Sequence, residues 1–184
     1  MHNIPGLPAG SFGIREGGIM AATDEFQITI EGRGGHAALP HNTVDPVMIA
    51  AQMITALHTI VSRNVDPMRS AVLSVTMVQA GDAFNIIPRS ATLTGTIRTL
   101  DNEVRDFMEE QLKAVATGLA ETFGAKTEIH YRRGYPVTVN TPREAAYAAE
   151  VASEIAGPER VDAKADPTMA GEDFAYMLQA RPGA

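Results

Sequence analysis

The sequence predicts an α+β fold in which a β-α-β-β-α-β block, spanning residues 23–136, sits between two shorter flanks. Three observations predict it. Apolar residues alternate with period two around Phe26-Gln27-Ile28-Thr29-Ile30, Leu73–Met77, Leu93–Ile97 and Ile129–Tyr131. Helix-period apolar runs follow Asp45-Pro46 and Asp101. The order of these segments is strand, helix, strand, strand, helix, strand. The composition agrees with an ordinary folded chain: 184 residues, 45% of them apolar and 20% charged, a normal globular mixture.

Each element has its own local cause. The opening Met1–Gly10 is rich in Pro and Gly and reads as a loop, with short strands expected at Ser11–Ile14 and Ile19–Ala22. In the first strand of the block, Phe26, Ile28 and Ile30 share a face opposite Gln27, Thr29 and Glu31. Asp45 as N-cap and Pro46 in the first turn start a helix. Its stripe is read as Val47, Ala51, Ile54, Leu57 and Val61. Asn64–Arg69 is a turn. Strands at 72–79 and 91–98 are joined by a long connection, Ala80–Ser90. Asp101 caps a second helix with Val104, Phe107, Met108, Leu112, Val115 and Leu119 on one face, and Gly124 stops it. Lys126–Arg132 is the fourth strand. This order predicts a ferredoxin-like sandwich, two helices on one side of a sheet. Beyond Pro136, Thr141-Pro142 caps an Ala-rich helix reaching Ala156, Gly157-Pro158 ends it, and another helix starts at Asp173. Met48, Met53 and Met77 are read as packing residues. His58 is read at the core edge, His41 as fixing its loop, and His130 as facing solvent.

Charge and composition exclude several functions. A net charge of −7 repels polyphosphate, so no nucleic-acid partner is expected. With no cysteine there is no disulfide framework, thiolate metal site or cysteine nucleophile. No apolar run approaches the roughly 20 residues needed to span a bilayer, so no membrane partner is expected. The first residues lack a basic region followed by an apolar one, and a cytoplasmic home is expected.

The residues able to carry chemistry are few. His36 lies in Gly32-Arg33-Gly34-Gly35-His36-Ala37-Ala38-Leu39-Pro40-His41, where glycines let the backbone take φ > 0 and approach other groups closely. A histidine on such a turn presents its ring. It can donate to a developing negative charge or ligate a metal. His2 sits in a tight loop before Asn3-Ile4-Pro5, and neutral imidazole there suits a divalent ion. Asn85, in Asn85-Ile86-Ile87-Pro88, offers donors and an acceptor to a substrate, or shapes its own turn. Arg98 can grip a carboxylate with two parallel hydrogen bonds, or stand in solvent. Glu172 and Asp173 either cap the helix that follows or support a metal-bound histidine from behind.

Six segments, taken in order, carry a resemblance. They are His2-Asn3-x-Pro5-Gly6, Gly34-Gly35-His36-Ala37-Ala38-x-Pro40-His41, Asp45-Pro46, Asn85-x-Ile87-Pro88, Gly95-Thr96-x-Arg98 and Gly171-Glu172-Asp173-Phe174. Together they resemble the dinuclear-metal amidohydrolases of the aminoacylase and carboxypeptidase G2 superfamily. The nearest branch is that of the hippurate hydrolases, N-acyl-L-amino acid amidohydrolases and auxin-conjugate hydrolases. The resemblance implies catalytic-domain pieces at 1–22 and 137–184 around a lid and dimerisation domain at 23–136. It implies hydrolysis of N-acyl amino acids by a water held between two divalent ions (Zn, Mn, Co or Ni), with a glutamate as base. It implies a homodimer through the lid. The histidine matching His36 then stabilises the oxyanion in the neighbouring subunit. Those matching Asn85 and Arg98 hold substrate, and the one matching His2 ligates metal.

The chain also departs from that pattern. The Cys-Gly-His-x-Gly-His type segment, the Glu-Glu pair and the last metal histidine are absent from these 184 residues. The expectation is therefore a fragment that does not retain the metal pair and does not turn over by itself. The alternative is a non-catalytic ferredoxin-like module that dimerises or senses a small molecule.

Overall fold

The computed structural model describes residues 2–184. In chain order the strands are β1 (Phe12–Gly13), β2 (Gly17–Met20), β3 (Ala22–Glu31), β4 (Gly35–His36), β5 (Ala71–Ala80), β6 (Ile86–Ile87), β7 (Ser90–Thr99), β8 (Lys126–Arg133), β9 (Thr138–Asn140) and β10 (Val161–Asp162). The helices are α1 (Pro46–Thr59), α2 (Asn102–Thr122), α3 (Pro142–Ala156) and α4 (Phe174–Ala180). The chain forms two compact units. One is Thr23–Gly134; the other joins the residues up to Ala22 with Tyr135–Ala184.

The central unit has a four-stranded sheet in the order β5-β7-β3-β8. Counting only the block's own long strands, this is second, third, first, fourth, the ferredoxin-like order that the sequence predicts. β3 runs antiparallel to β8 with Phe26 opposite Tyr131 and Ile28 opposite Ile129. β5 runs antiparallel to β7 with a bulge between Val75 and Met77. Phe26, Ile28, Ile30, Leu93 and Ile97 form one core with Ile49, Met53, Leu57, Met108 and Leu112 of the two helices. Each such side chain contributes about 1.5–3 kcal/mol through burial.

Asp45 caps α1 as expected, accepting from the backbone N–H of Val47 at 2.9 Å and of Met48 at 3.4 Å. Which face α1 buries is a correction. The buried residues are Pro46, Ile49, Ala50, Met53 and Leu57; of the expected stripe Leu57 is buried and Ile54 and Val61 pack against the core, while Val47 and Ala51 are exposed. The helix is apolar on more than one face, so periodicity alone does not choose between them. Packing against α2, β5 and β7 does. Met53 is buried on that face, but Met48, elsewhere on α1, and Met77, on the edge strand β5, are exposed, contrary to the packing role read for all three. His58 is also exposed rather than at the core edge. The helix runs on into a π turn, Ile60–Asn64, closed by the Val65 N–H on the Ile60 carbonyl at 3.1 Å.

α2 starts as read, with the Val104 N–H on the Asp101 carboxylate at 2.8 Å. The two sheet edges differ in character. β8 shows solvent Lys126, Glu128, His130 and Arg132, and charge on an edge discourages pairing with another strand. β5 instead exposes Val72, Met77 and Val78.

In the other unit, β1 pairs in parallel with β10, and β2 pairs antiparallel with β9. The Ala21 N–H bonds the carbonyls of Thr168 and Ala170 at 3.1 and 2.9 Å. β9 and β10 have no sequence signal of their own, being two or three residues long and held by distant partners. α3 has the predicted limits, but Thr141 does not cap it through its side chain. The Thr141 hydroxyl instead donates to the Gly183 carbonyl and accepts from the Gly183 N–H, both at 2.9 Å.

Candidate functional site

The glycine loop is pinned on both sides. The Gly32 N–H donates to the Arg89 carbonyl at 2.9 Å, and Arg33 and Val44 exchange two backbone hydrogen bonds of 2.9 Å. β4 then pairs antiparallel with β6, placing His36 opposite Ile86. The Ala37 N–H donates to the Asn85 carbonyl at 3.0 Å. Two segments almost fifty residues apart are thereby joined, and the backbones that carry His36 and Asn85 are brought to one place.

The glycines act by close approach, not by left-handed backbone. Gly32, Gly34 and Gly35 are absent from the positive-φ residues, which corrects half of the expectation. A Cβ at Gly32 would lie 2.2 Å from the Val44 carbonyl oxygen, and one at Gly34 2.7 Å from that of Ile87. Only glycine lets these backbones meet.

The His36 ring is exposed and oriented. The Ala38 N–H donates to its Nδ1 at 3.1 Å. With Nδ1 accepting, the neutral ring carries its proton on Nε2, a donor facing away from its own loop. Asn85 is exposed too, and its amide makes no hydrogen bond among the described residues. Arg98 is elsewhere on the sheet. It lies on β7 opposite Val72, and its guanidinium folds back onto its own strand, to the Thr96 hydroxyl and to the Ile97 carbonyl at 3.0 Å. Among the described residues no hydrogen bond joins Arg98 to His36 or Asn85.

In the other unit the first and last segments meet. His2 Nδ1 bonds the Glu172 carboxylate across 170 residues. That carboxylate also accepts from the Phe174 N–H at 3.4 Å, so Glu172, not Asp173, serves the start of α4. The hydrogen bond with His2, then the interaction with the Asp173 side chain and the bond from the Phe174 N–H, hold the Glu172 carboxyl below its ordinary range. A carboxylate on Nδ1 fixes a histidine ring and leaves Nε2 outward, the arrangement that supports a metal-bound imidazole. The described residues contain no group of three or more His, Cys, Asp or Glu able to hold an ion.

Thr23–Gly134 is thus a ferredoxin-like unit with one charged and one apolar sheet edge, carrying the His36 turn. The chain belongs to the M20 peptidase dimerisation-domain family, whose model matches residues 23–122. It is 41% identical to N-acetylcysteine deacetylase of Bacillus subtilis over all of its own length and 47% of that protein. It is 39% identical to hippurate hydrolase of Campylobacter jejuni, over 97% of this chain and 46% of that one. Among solved structures, a dinuclear metal binding peptidase of the M20 family from Bacillus subtilis matches with a TM-score of 0.79 at 34% identity, covering all of this chain and 45% of that one. The chain spans about half the length of the curated relatives it matches. No helix among the described residues is long and apolar enough to cross a membrane.

Proposed function

We propose that this chain supplies the lid, the dimer contact and flanking parts of the catalytic domain of a cytoplasmic amidohydrolase that cleaves N-acyl amino acids. The observation that carries this reading is the state of His36. Its Nδ1 is occupied by the Ala38 N–H, which leaves Nε2–H of the exposed ring as a free donor, on a turn tied through the Ala37 N–H to the backbone of Asn85. A donor fixed in place before reaction stabilises the oxyanion formed when an amide carbonyl is attacked. Asn85, whose backbone is tied to the same turn, would orient that carbonyl group. Arg98 would hold the substrate carboxylate after swinging off its own strand. His2, oriented by Glu172 with Asp173 behind it, is proposed as one ligand of a divalent ion whose remaining ligands this chain does not provide.

His36 would act in a second copy. The support is the contrast between the edges: β5 is apolar and open, and the Gly81–Arg89 connection leading to Asn85 begins where β5 ends. Pairing through β5 carries that connection and His36 toward the partner. An isologous contact of this kind gives both subunits the same donor.

The test is hydrolysis of N-acetyl and N-benzoyl amino acids by the product of the complete reading frame, with zinc, manganese or cobalt added. Turnover is expected, with His36→Ala lowering kcat by roughly two to three orders of magnitude. The 184-residue chain alone is expected to be inactive under every condition. Undiminished turnover by His36→Ala would remove the oxyanion role. Dimerisation with no hydrolysis by the complete product would favour the non-catalytic module instead.

A further inference from the structure

The turn that carries His36 uses three successive amides in three different ways. The Ala37 N–H donates to the Asn85 carbonyl at 3.0 Å, and the Leu39 N–H closes the turn on the His36 carbonyl at 2.8 Å. Between them the Ala38 N–H donates to the His36 ring itself, at Nδ1, over 3.1 Å. Asn and Asp side chains commonly close a turn in this way, onto the amide two residues on. Here the acceptor is a nitrogen that can take up a proton.

An Asn oxygen accepts at any pH. An imidazolium carries N–H on both nitrogens and accepts nothing. Protonation of His36 therefore sets two donors against each other across 3.1 Å. The backbone has no slack to relieve this. The amides on either side are held by carbonyls, and a Cβ at Gly35 would already lie 2.8 Å from the Thr43 methyl. The ring is exposed and has no other hydrogen-bond partner among the described residues, so the ring is what turns. Its neighbours do not hold it. β6 carries no titratable side chain, and the turn Pro40–Asn42 brings only His41. The adjoining loops bring Arg33, Asp45, Asp82 and Arg89. Arg33 is spent on the Asn42 carbonyl at 3.0 Å and Asp45 on the cap of α1. None of the five forms a hydrogen bond or ion pair with the His36 ring.

We infer that Ala38 is a positioning residue whose N–H holds the His36 ring only while that ring is neutral, so that uptake of a proton releases the ring from the turn. Its catalytic consequence rests on the amidohydrolase reading above. A charged imidazolium is intrinsically the stronger donor to an oxyanion. A donor is effective, however, only when fixed where the charge develops. Acid thus disables this histidine instead of strengthening it.

The experiment follows amide hydrogen exchange and the ring nitrogens by NMR in the 184-residue chain. The range is about pH 5–8, where imidazole changes charge. Relative to the intrinsic exchange rate, protection at Ala38 is expected to fall severalfold as the His36 ring protonates, with Ala37 and Leu39 unchanged. In His36→Asn, whose side-chain oxygen replaces Nδ1 and does not titrate, Ala38 should stay protected throughout. Protection at Ala38 that ignores the charge of the ring, or that is lost together with Ala37 and Leu39, would overturn the inference. A second arm uses the product of the complete reading frame with L-lactate in place of Ala38, an ester that removes this N–H and keeps the side chain. Its kcat on N-acetyl amino acids should fall roughly tenfold at neutral pH through misplacement of the ring, with KM little changed. An unaltered kcat would overturn the positioning role. If the parent hydrolyses no N-acyl amino acid, the amidohydrolase reading falls, while the proton-coupled turn stands or falls on the exchange result.

Discussion

Asp24 and Arg105, 81 residues apart, form a buried ion pair where the chain enters and leaves its central unit. Arg105 Nη2 donates to Asp24 Oδ1 at 2.6 Å, and Nε reaches both oxygens at 3.2 and 3.1 Å. The Tyr131 hydroxyl at 2.9 Å and the Gly134 N–H at 3.3 Å donate to the same carboxylate. Arg105 also reaches the Gly134 carbonyl at 3.2 Å. A Cβ at Gly134 would lie 2.3 Å from the Thr23 carbonyl oxygen, so the incoming and outgoing strands meet there without room for a side chain.

This cluster should be costly to break from one side. Arg105→Met leaves a buried carboxylate without its counter-charge, and a loss of about 3–5 kcal/mol is expected. Urea unfolding followed by circular dichroism measures it. The double variant Asp24→Asn with Arg105→Met should regain a substantial part, because nothing charged is then left buried. A loss under about 1 kcal/mol in the single variant would mean that water reaches the pair.

Tyr131 should resist ionisation. Burial, then the charge and hydrogen bond of Asp24, push its phenol far above the ordinary tyrosine range. The folded state thus favours the neutral form. Stability is unaffected below the ordinary tyrosine value of about 10 and falls as pH rises above it. In an ultraviolet titration of the folded protein to about pH 11, Tyr131→Phe should leave the absorbance change unaltered. A smaller change in the variant would show that Tyr131 ionises with the others.

The His2–Glu172 bond predicts a local pH effect. The Glu172 value is lowered, so its contribution to stability is present above the ordinary carboxylate range. It is lost as pH falls through the lowered value. Carboxyl carbon NMR should find Glu172 titrating below ordinary glutamates, and His2→Ala should bring it part of the way back. An unchanged titration in His2→Ala would show that the Asp173 side chain and the Phe174 N–H dominate.

The loop glycines should not tolerate even one methyl. Gly34→Ala places a Cβ 2.7 Å from the Ile87 carbonyl oxygen, which must separate β4 from β6 or strain both. A destabilisation of about 1–3 kcal/mol is expected. NMR should show loss of hydrogen-exchange protection at the Ala37 amide. An intact Ala37 amide would mean that the His36 turn does not depend on this approach.

The two sheet edges should respond differently to charge. Val78→Lys puts an ammonium on the apolar β5 edge and should weaken self-association at least tenfold in sedimentation experiments. His130→Lys, on the charged β8 edge, should leave it unchanged. The reverse outcome would move the contact to β8.

How much was legible in the sequence depended on whether the signal was local. The strand at Phe26–Ile30 and the second helix announced themselves, because alternation and capping are read within a few neighbours. α1 was recognised, but its face was only partly read, Leu57, Ile54 and Val61 meeting the core and Val47 and Ala51 not, since its apolar residues fill more than one stripe and Val47 looked as good as Ile49. Met48 and Met77 went the same way, methionine being apolar wherever it lies. Arg105 had no sequence signal: a charged residue among Val104 and Met108 reads as solvated until Asp24 arrives from another strand.

By itself the sequence determined the α+β order of elements, the caps at Asp45 and Asp101, and the handful of residues with usable chemistry. Those follow from side-chain periodicity and backbone preference, which act over a few residues. Only the tertiary structure decided which of those residues meet. Pairing of β4 with β6 brought the backbones of His36 and Asn85 to one place and left Arg98 on its own strand, and a hydrogen bond across the length of the chain gave His2 to Glu172. Such contacts arise from burying distant apolar faces together and satisfying the backbone around them, and no local pattern encodes them.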